Sequence, residues 1–71
     1  MAHITFTYDK MSRGAFWQEV RRALGHGLNV MVRVDRVKRN NVARSLQRIV
    51  RREDLPAVVK RLDGAVVVLF L

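Results

Sequence analysis

The first half of the chain alternates between strand-like and helix-like spacing of its apolar residues. In residues 3–8 and again in residues 28–35, every second side chain is apolar and strand-favouring residues are frequent, which predicts two strands. Residues 13–24 instead repeat apolar side chains at three- and four-residue spacing, which predicts an amphipathic helix with Ser12 as its N-cap. The glycine-rich turn at residues 25–27 is expected to end this helix.

A second helix is predicted from about Asn41, with its apolar and basic residues on opposite sides. A helix turns by about 100° per residue, so Arg44, Arg48 and Arg51 fall within roughly 60° of one another, with Arg52 beside them. The opposite, apolar side comprises Val42, Leu46, Ile49 and Val50. The apolar side should pack on a core and leave the arginines facing water or a partner.

The ends of this second helix are predicted from its flanking residues. Asn40 or Asn41 is the expected N-cap, and residues 36–40 are expected to form a basic loop before it. Pro56 disfavours helical geometry in the residue before it, so the helix should end by about Asp54.

The end of the chain predicts a β-hairpin. Residues 57–62 and 65–71 are rich in valine and leucine and are separated by Asp63 and Gly64. An Asp-Gly pair favours a type I′ turn, in which both central residues have positive φ. The order of elements is therefore β-α-β-α-β-β. It predicts an α/β (α+β) fold, a single two-layer sandwich over residues 1–71 with both helices on one face of a four-stranded sheet.

The predicted hairpin is apolar on both faces. A two-residue turn pairs Val59 with Val68 and Val58 with Leu69, so neither face is plainly polar. Neighbouring strands could cover part of this excess, and a homodimer is the alternative. A self-association surface is then expected at Val66, Val68 and Phe70, or at their neighbours Val67, Leu69 and Leu71.

Composition limits the kinds of chemistry that the chain can perform. It has 71 residues and no cysteine, which excludes disulfides and thiolate metal sites, and its six acidic residues and two histidines show no catalytic or ligand spacing. We expect no enzyme activity, no cofactor and no metal. The absence of a long apolar stretch or a signal-peptide pattern predicts a soluble, cytoplasmic protein with no membrane partner.

Positive charge is concentrated in one part of the chain. Of the formal net charge of +8, residues 33–61 carry +7, with ten basic and three acidic residues. Such a field favours polyanions, chiefly nucleic acid. The predicted nucleic-acid-binding residues are Arg33, Arg36, Lys38, Arg39, Asn40, Arg44, Arg48, Arg51, Arg52, Lys60 and Arg61. The basic loop should also place a phosphate at the N-terminus of the second helix.

Two further interpretations concern how a nucleic acid would be read. Trp17 is predicted to belong to the core, with a stacking platform for a base as the alternative. A strand separates the two helices, so a helix-turn-helix is not expected, although an additional helical turn over residues 36–40 would bring the pattern closer to a winged helix. Contacts to the phosphate backbone, which do not read sequence, are therefore expected.

Three segments resemble known families of nucleic-acid-binding proteins. They are a helix that ends in a glycine turn before an alternating strand (LGHGLNVMVRVD), a basic amphipathic helix (RVKRNNVARSLQRIV) and a closing hairpin (VVKRLDGAVVVLFL). Together they resemble the C-terminal domain of bacterial translation initiation factor three and the Alba chromatin proteins. This resemblance implies the β-α-β-α-β-β layout and favours RNA over a DNA sequence.

The chain is also similar to small uncharacterised phage-encoded proteins in its size and in the helix that leads at once into a hairpin. That resemblance implies an alternative function, a protein-interaction module or inhibitor that docks on an acidic face of a host protein. The principal expectation is a small basic protein that binds the phosphate backbone of RNA or structured DNA.

Overall fold

Two helices and four strands make up the fold. The computed structural model describes residues 3–9 and 14–71. Its elements are β1 (His3–Thr7), α1 (Gly14–Gly25), β2 (Asn29–Arg33), α2 (Arg36–Arg52), β3 (Ala57–Leu62) and β4 (Ala65–Phe70). The predicted fold class is confirmed: both helices pack on one face of a four-stranded sheet in an α+β arrangement. The Ser12 cap predicted for α1 lies outside the described residues.

The sheet is mixed, with strand order β1-β2-β4-β3. β1 and β2 run parallel and are joined by α1, because parallel neighbours need a crossover connection. β4 is antiparallel to both β2 and β3. The hairpin register follows the two-residue turn as predicted, with Val59 opposite Val68 and Val58 opposite Leu69.

The core lies between the sheet and the two helices. The central strands contribute the valines at every second position, and α1 and α2 contribute one apolar side each. The fully buried large side chains are Val20, Leu24, Val30, Val32, Val42, Leu46, Val66 and Val68. Because Val66 and Val68 have no exposed surface, they cannot form a self-association surface, and that prediction is wrong for both residues. Phe70 is partly buried against the same core.

The other face of the sheet carries no helix in the described part of the chain. Side chains alternate along a strand, so Met31 and Val67 point to this face while their neighbours point to the helices. Val58, Leu62 and Leu69 lie towards its β3 side and are between 37% and 43% exposed. The sheet therefore has one buried face and one half-apolar open face.

The helix α2 begins five residues earlier than predicted. Asp35 is its N-cap, and the Asp35 carboxylate accepts a hydrogen bond of 2.9 Å from the backbone N–H of Lys38. The predicted loop at residues 36–40 and the predicted Asn40 or Asn41 cap are wrong. The spacing of apolar residues did not indicate this start for two reasons. Val37 is 83% exposed and faces water, and the partly buried residue of the first turns is Arg39, which is not apolar.

The C-terminus of α2 agrees with the prediction from Pro56, since the helix ends at Arg52. The N–H of Leu55 donates to the Val50 carbonyl at 2.9 Å, and the N–H of Asp54 donates to the Arg51 carbonyl at 3.2 Å. These two bonds form a Schellman motif, in which the residue after the helix cap adopts a left-handed conformation. Asp54 takes that position with φ of 51°.

The turn between β3 and β4 is not type I′. Gly64 has a φ of 76°, but Asp63 is not among the described residues with positive φ. The Gly64 carbonyl accepts a hydrogen bond of 3.0 Å from the N–H of Val34. This bond ties the turn to the residue that follows β2.

The additional helical turn over residues 36–40 does not create a winged helix. β2 still lies between α1 and α2 in the chain, where it forms an inner strand of the sheet. A helix-turn-helix needs two successive helices joined by a short turn. The extra turn instead lengthens the basic helix to 17 residues.

Candidate nucleic-acid interface

The exposed side of α2 carries the arginine stripe predicted from the sequence. Arg44, Arg48, Arg51 and Arg52 are all exposed, while Val42, Leu46 and Ile49 on the opposite side are buried. None of the four arginine side chains has a hydrogen bond or ion pair with another residue in the parts of the chain that the structure describes. The stripe therefore presents four uncompensated guanidinium groups to solvent.

The carboxylates near α2 are placed where they leave the middle of the stripe unopposed. Asp35 caps the N-terminus of the helix, and Asp63 forms an exposed ion pair with Arg36 at 3.6 Å. Glu53 and Asp54 follow the last turn. Because these acids lie at the two ends of the helix, its central turns carry positive charge without a neighbouring carboxylate on the same helix.

The long side chains of the stripe enclose an open depression of about 490 Å³ on the helix surface. It is lined by Arg44, Gln47, Arg48, Arg51 and Arg52. Four of these five side chains are fixed positive charges that can donate hydrogen bonds in a fork, the geometry that suits phosphate oxygens. Gln47 adds a neutral amide donor to the same surface.

The first two turns of α2 are attached to the hairpin. The Arg39 guanidinium donates to the Leu62 carbonyl at 3.1 Å, and the Arg61 guanidinium donates to the Asn40 side-chain oxygen at 3.2 Å. The Nε atom of Arg39 is buried and has no hydrogen-bond partner. Arg39, Asn40 and Arg61 therefore hold α2 against the hairpin, a role that differs from the predicted phosphate contacts.

The predicted phosphate site at the N-terminus of the basic helix is occupied by the protein itself. The Asp35 carboxylate accepts from the Lys38 N–H, and its negative charge lies at the positive end of the helix dipole. Arg36 and Lys38 lie within the first helical turn and are exposed. They can extend the basic surface, but they do not surround an open helix terminus.

The remaining predicted residues lie on a different surface. Arg33 lies in β2 and Lys60 lies in β3, opposite Val67 of β4. Each follows a residue that faces the core, so both point to the open face of the sheet, away from α2. The residues of the predicted nucleic-acid-binding set therefore do not share one face. The structure divides the basic residues among the helix stripe, the hairpin attachment and the open sheet face.

A cleft between α1 and α2 was not predicted as a site. It has a volume of about 150 Å³ and is lined by Trp17, Arg21, Ser45, Arg48, Ile49, Arg52 and Glu53. Two of its arginines belong to the stripe, so the cleft continues the basic surface towards α1. The four-residue spacing of Trp17 and Arg21 places both on one side of α1, and this signal was available in the sequence.

Comparison with known protein families, with curated proteins and with solved structures gave no match. Neither helix in the described part of the chain is both long and apolar enough to cross a membrane.

Proposed function

We propose that this protein binds the phosphate backbone of nucleic acid through the arginine stripe of α2. The observation that carries the proposal is the set of four exposed arginines whose side chains have no partner in the described residues, on a helix whose other side is buried in the core. The helix is fixed by its packing, so binding requires ordering of the arginine side chains alone. The proposal places the protein in the cytoplasm, with RNA or DNA as partner.

The dimensions of the stripe suit a run of phosphates. Arg44 and Arg52 are eight residues apart, which is about 12 Å along a helix that rises about 1.5 Å per residue. One strand of a duplex presents a phosphate about every 3.4 Å of axis, and successive phosphates are further apart than this along the strand itself, so the stripe suits a short run of phosphates. Such contacts are independent of sequence, and they apply to RNA and DNA alike.

Salt dependence tests the proposal. If all four arginines contact phosphates, log affinity should fall against log salt with a slope of about −3.6 for duplex DNA and about −2.8 for a single strand. Fluorescence anisotropy of labelled RNA and DNA at several salt concentrations measures this slope. Failure to bind either nucleic acid at about 50 mM salt, where such contacts are strong, would contradict the proposal.

A matched pair of triple variants locates the interface. Replacement of Arg44, Arg48 and Arg51 by glutamine should reduce affinity strongly and make the duplex slope shallower by about 2.7. The control replaces Arg22, Arg33 and Lys60, three exposed residues outside the stripe, and removes the same charge. The control should keep most of the affinity. Equal losses in both variants would show that net charge alone, without a located interface, attracts the nucleic acid.

A second candidate function is docking on an acidic face of another protein. It is favoured by the open sheet face, where Val58, Leu62 and Leu69 are partly exposed beside Arg33 and Lys60. Pull-down from a nuclease-treated bacterial lysate tests it. A stoichiometric protein that survives nuclease and is lost with the Leu69→Thr variant supports this candidate, whereas loss of all partners after nuclease supports nucleic-acid binding.

A further inference from the structure

The cleft between α1 and α2 combines an aromatic wall with arginines from both helices. Trp17 and Arg21 line it from α1, and Arg48 and Arg52 line it from α2. Arg21, like the arginines of the stripe, has no partner in residues 3–9 and 14–71. The cleft thus has the two features that single-strand-binding grooves share, a basic rim and an aromatic surface.

Trp17 is packed against aromatic side chains that do not themselves line the cleft. Its ring meets Phe16 edge-on, with centroids 5.0 Å apart and an interplanar angle of 88°, and it is tilted against Tyr8 at 6.2 Å. Phe16 is itself packed edge-on against Tyr8 and Phe6. The indole is therefore oriented by neighbouring rings while part of it remains on the cleft wall, so little side-chain freedom is left to lose on binding.

The size and charge of the cleft restrict what can enter it. Its volume of about 150 Å³ is similar to that of a cavity that admits one benzene-sized ring. Ile49, which is nearly buried, supplies an apolar part of the lining. The Glu53 carboxylate also lines the cleft and opposes an anion inside it, whereas the arginines attract anions to its rim. A neutral aromatic ring with anionic groups on either side satisfies these conditions.

We propose that the cleft holds one unpaired base of a single-stranded nucleic acid, stacked on Trp17, with the adjoining phosphates on Arg21 and Arg48. The strand then continues over the stripe, which shares Arg48 and Arg52 with the cleft. This inference rests on the proposed function and narrows its partner from any phosphate backbone to strands with unpaired bases. A duplex can fill the cleft only after a base leaves its stack, which costs free energy.

Tryptophan emission gives a direct test, because Trp17 is the single tryptophan of the chain. The probes are an unlabelled single strand of about 10 nucleotides, within the usual range of site sizes, its duplex, and polyglutamate. At about 50 mM salt the single strand should quench and shift the emission, and the duplex and polyglutamate should leave it nearly unchanged. Anisotropy with labelled versions of the same oligonucleotides measures affinity independently.

Two substitutions distinguish a loss of affinity caused by lost base stacking from one caused by misfolding or by lost charge. Trp17→Leu keeps an apolar side chain against Phe16 but removes the π surface, and it should weaken single-strand affinity roughly fivefold to 150-fold. Its duplex affinity should be unchanged, which a misfolded variant could not achieve. Arg21→Gln should weaken single-strand binding severalfold, whereas Arg22→Gln, which removes the same charge from the next residue outside the cleft, should have little effect.

The outcomes distinguish this inference from the proposed function. If the single strand binds by anisotropy but leaves the Trp17 emission of the parent protein unchanged, and if Trp17→Leu keeps the parent affinity, the base-binding cleft is refuted and backbone binding by the stripe stands. If polyglutamate alters the emission as the oligonucleotide does, the cleft accepts acidic chains in general and the base assignment is refuted. If neither single strand nor duplex binds, both proposals fall together.

Discussion

The guanidinium of Arg39 donates a hydrogen bond of 3.1 Å to the backbone carbonyl of Leu62, which lies 23 positions later in the chain. The bond joins the second turn of α2 to the last residue of β3. The bond gives Arg39 a structural role, although an arginine among other basic residues would be expected to contact a phosphate. The burial of the Arg39 Nε atom without a partner adds an unfavourable term at the same position.

Substitution of Arg39 should therefore change stability in a way that depends on the replacement. Arg39→Ala loses the hydrogen bond and the packed methylene stem, and should lower the free energy of unfolding by about 1–2 kcal/mol. Arg39→Met keeps the stem and removes the unpaired Nε atom, so its free energy of unfolding should stay within about 1 kcal/mol of the parent. Urea unfolding measures both. Equal destabilisation by the two replacements would contradict the assignment.

The N-cap of α2 can be checked by exchanging two candidate caps for alanine. Asp35→Ala removes the acceptor for the Lys38 N–H and should destabilise the protein by about 1 kcal/mol, a shift in melting temperature of about 4–8 °C. Asn41→Ala changes an exposed residue inside the helix and should be neutral or slightly stabilising, because alanine has the higher helix propensity. The reverse ranking would restore the helix start predicted from the sequence.

Asp54 offers a route to a more stable protein. Its φ of 51° is a left-handed conformation that glycine adopts without steric cost. Asp54→Gly should raise the free energy of unfolding by about 0.5–1 kcal/mol, and Asp54→Ala should lower it. Thermal unfolding of both variants gives the measurement. A lower melting temperature for Asp54→Gly than for Asp54→Ala would be inconsistent with the Schellman geometry.

The middle of α2 should contribute more to nucleic-acid affinity than its first turn. Arg36 is paired with Asp63 and directly follows Asp35 in the chain, whereas Arg44 and Arg48 have no carboxylate partner among the described residues. Replacement of Arg36 and Lys38 by glutamine should therefore weaken binding less than replacement of Arg44 and Arg48. Anisotropy titrations at one salt concentration compare the two pairs, which remove equal charge. A larger loss for the first pair would move the interface to the start of the helix.

Local sequence rules were sufficient for the type and order of the elements and for the hairpin register. The spacing of the valines and the two-residue separation at Asp63 and Gly64 fix which residues pair, because a shift by one would exchange the buried and open faces. The same rules identified the arginine stripe, since the positions of Arg44 and Arg48 relative to the apolar side depend only on helical geometry.

Features that depend on distant contacts could not be derived in this way. Asp35 continued the alternation of the preceding strand and so did not stand out as a cap, and Arg39 interrupted the apolar pattern because its partner lies on another element. The cleft at Trp17 is formed by residues of both helices, so it could not be predicted without knowing how α1 packs beside α2. Net charge over residues 33–61 likewise did not reveal that its basic residues lie on three different surfaces.

The position of β1 at the edge of the sheet links local unfolding of this strand to the surroundings of Trp17. β1 is hydrogen bonded to one neighbour, β2, whereas the remaining strands form a continuous antiparallel unit. Phe6, on β1, packs against Phe16, and Tyr8, just beyond it, contacts both Phe16 and Trp17. Local unfolding that releases β1 would withdraw these rings and free the indole, while leaving the basic helix on its three-stranded support. Amide hydrogen exchange in β1 should consequently be coupled to Trp17 emission in the unbound protein, and occupancy of the cleft should slow that exchange.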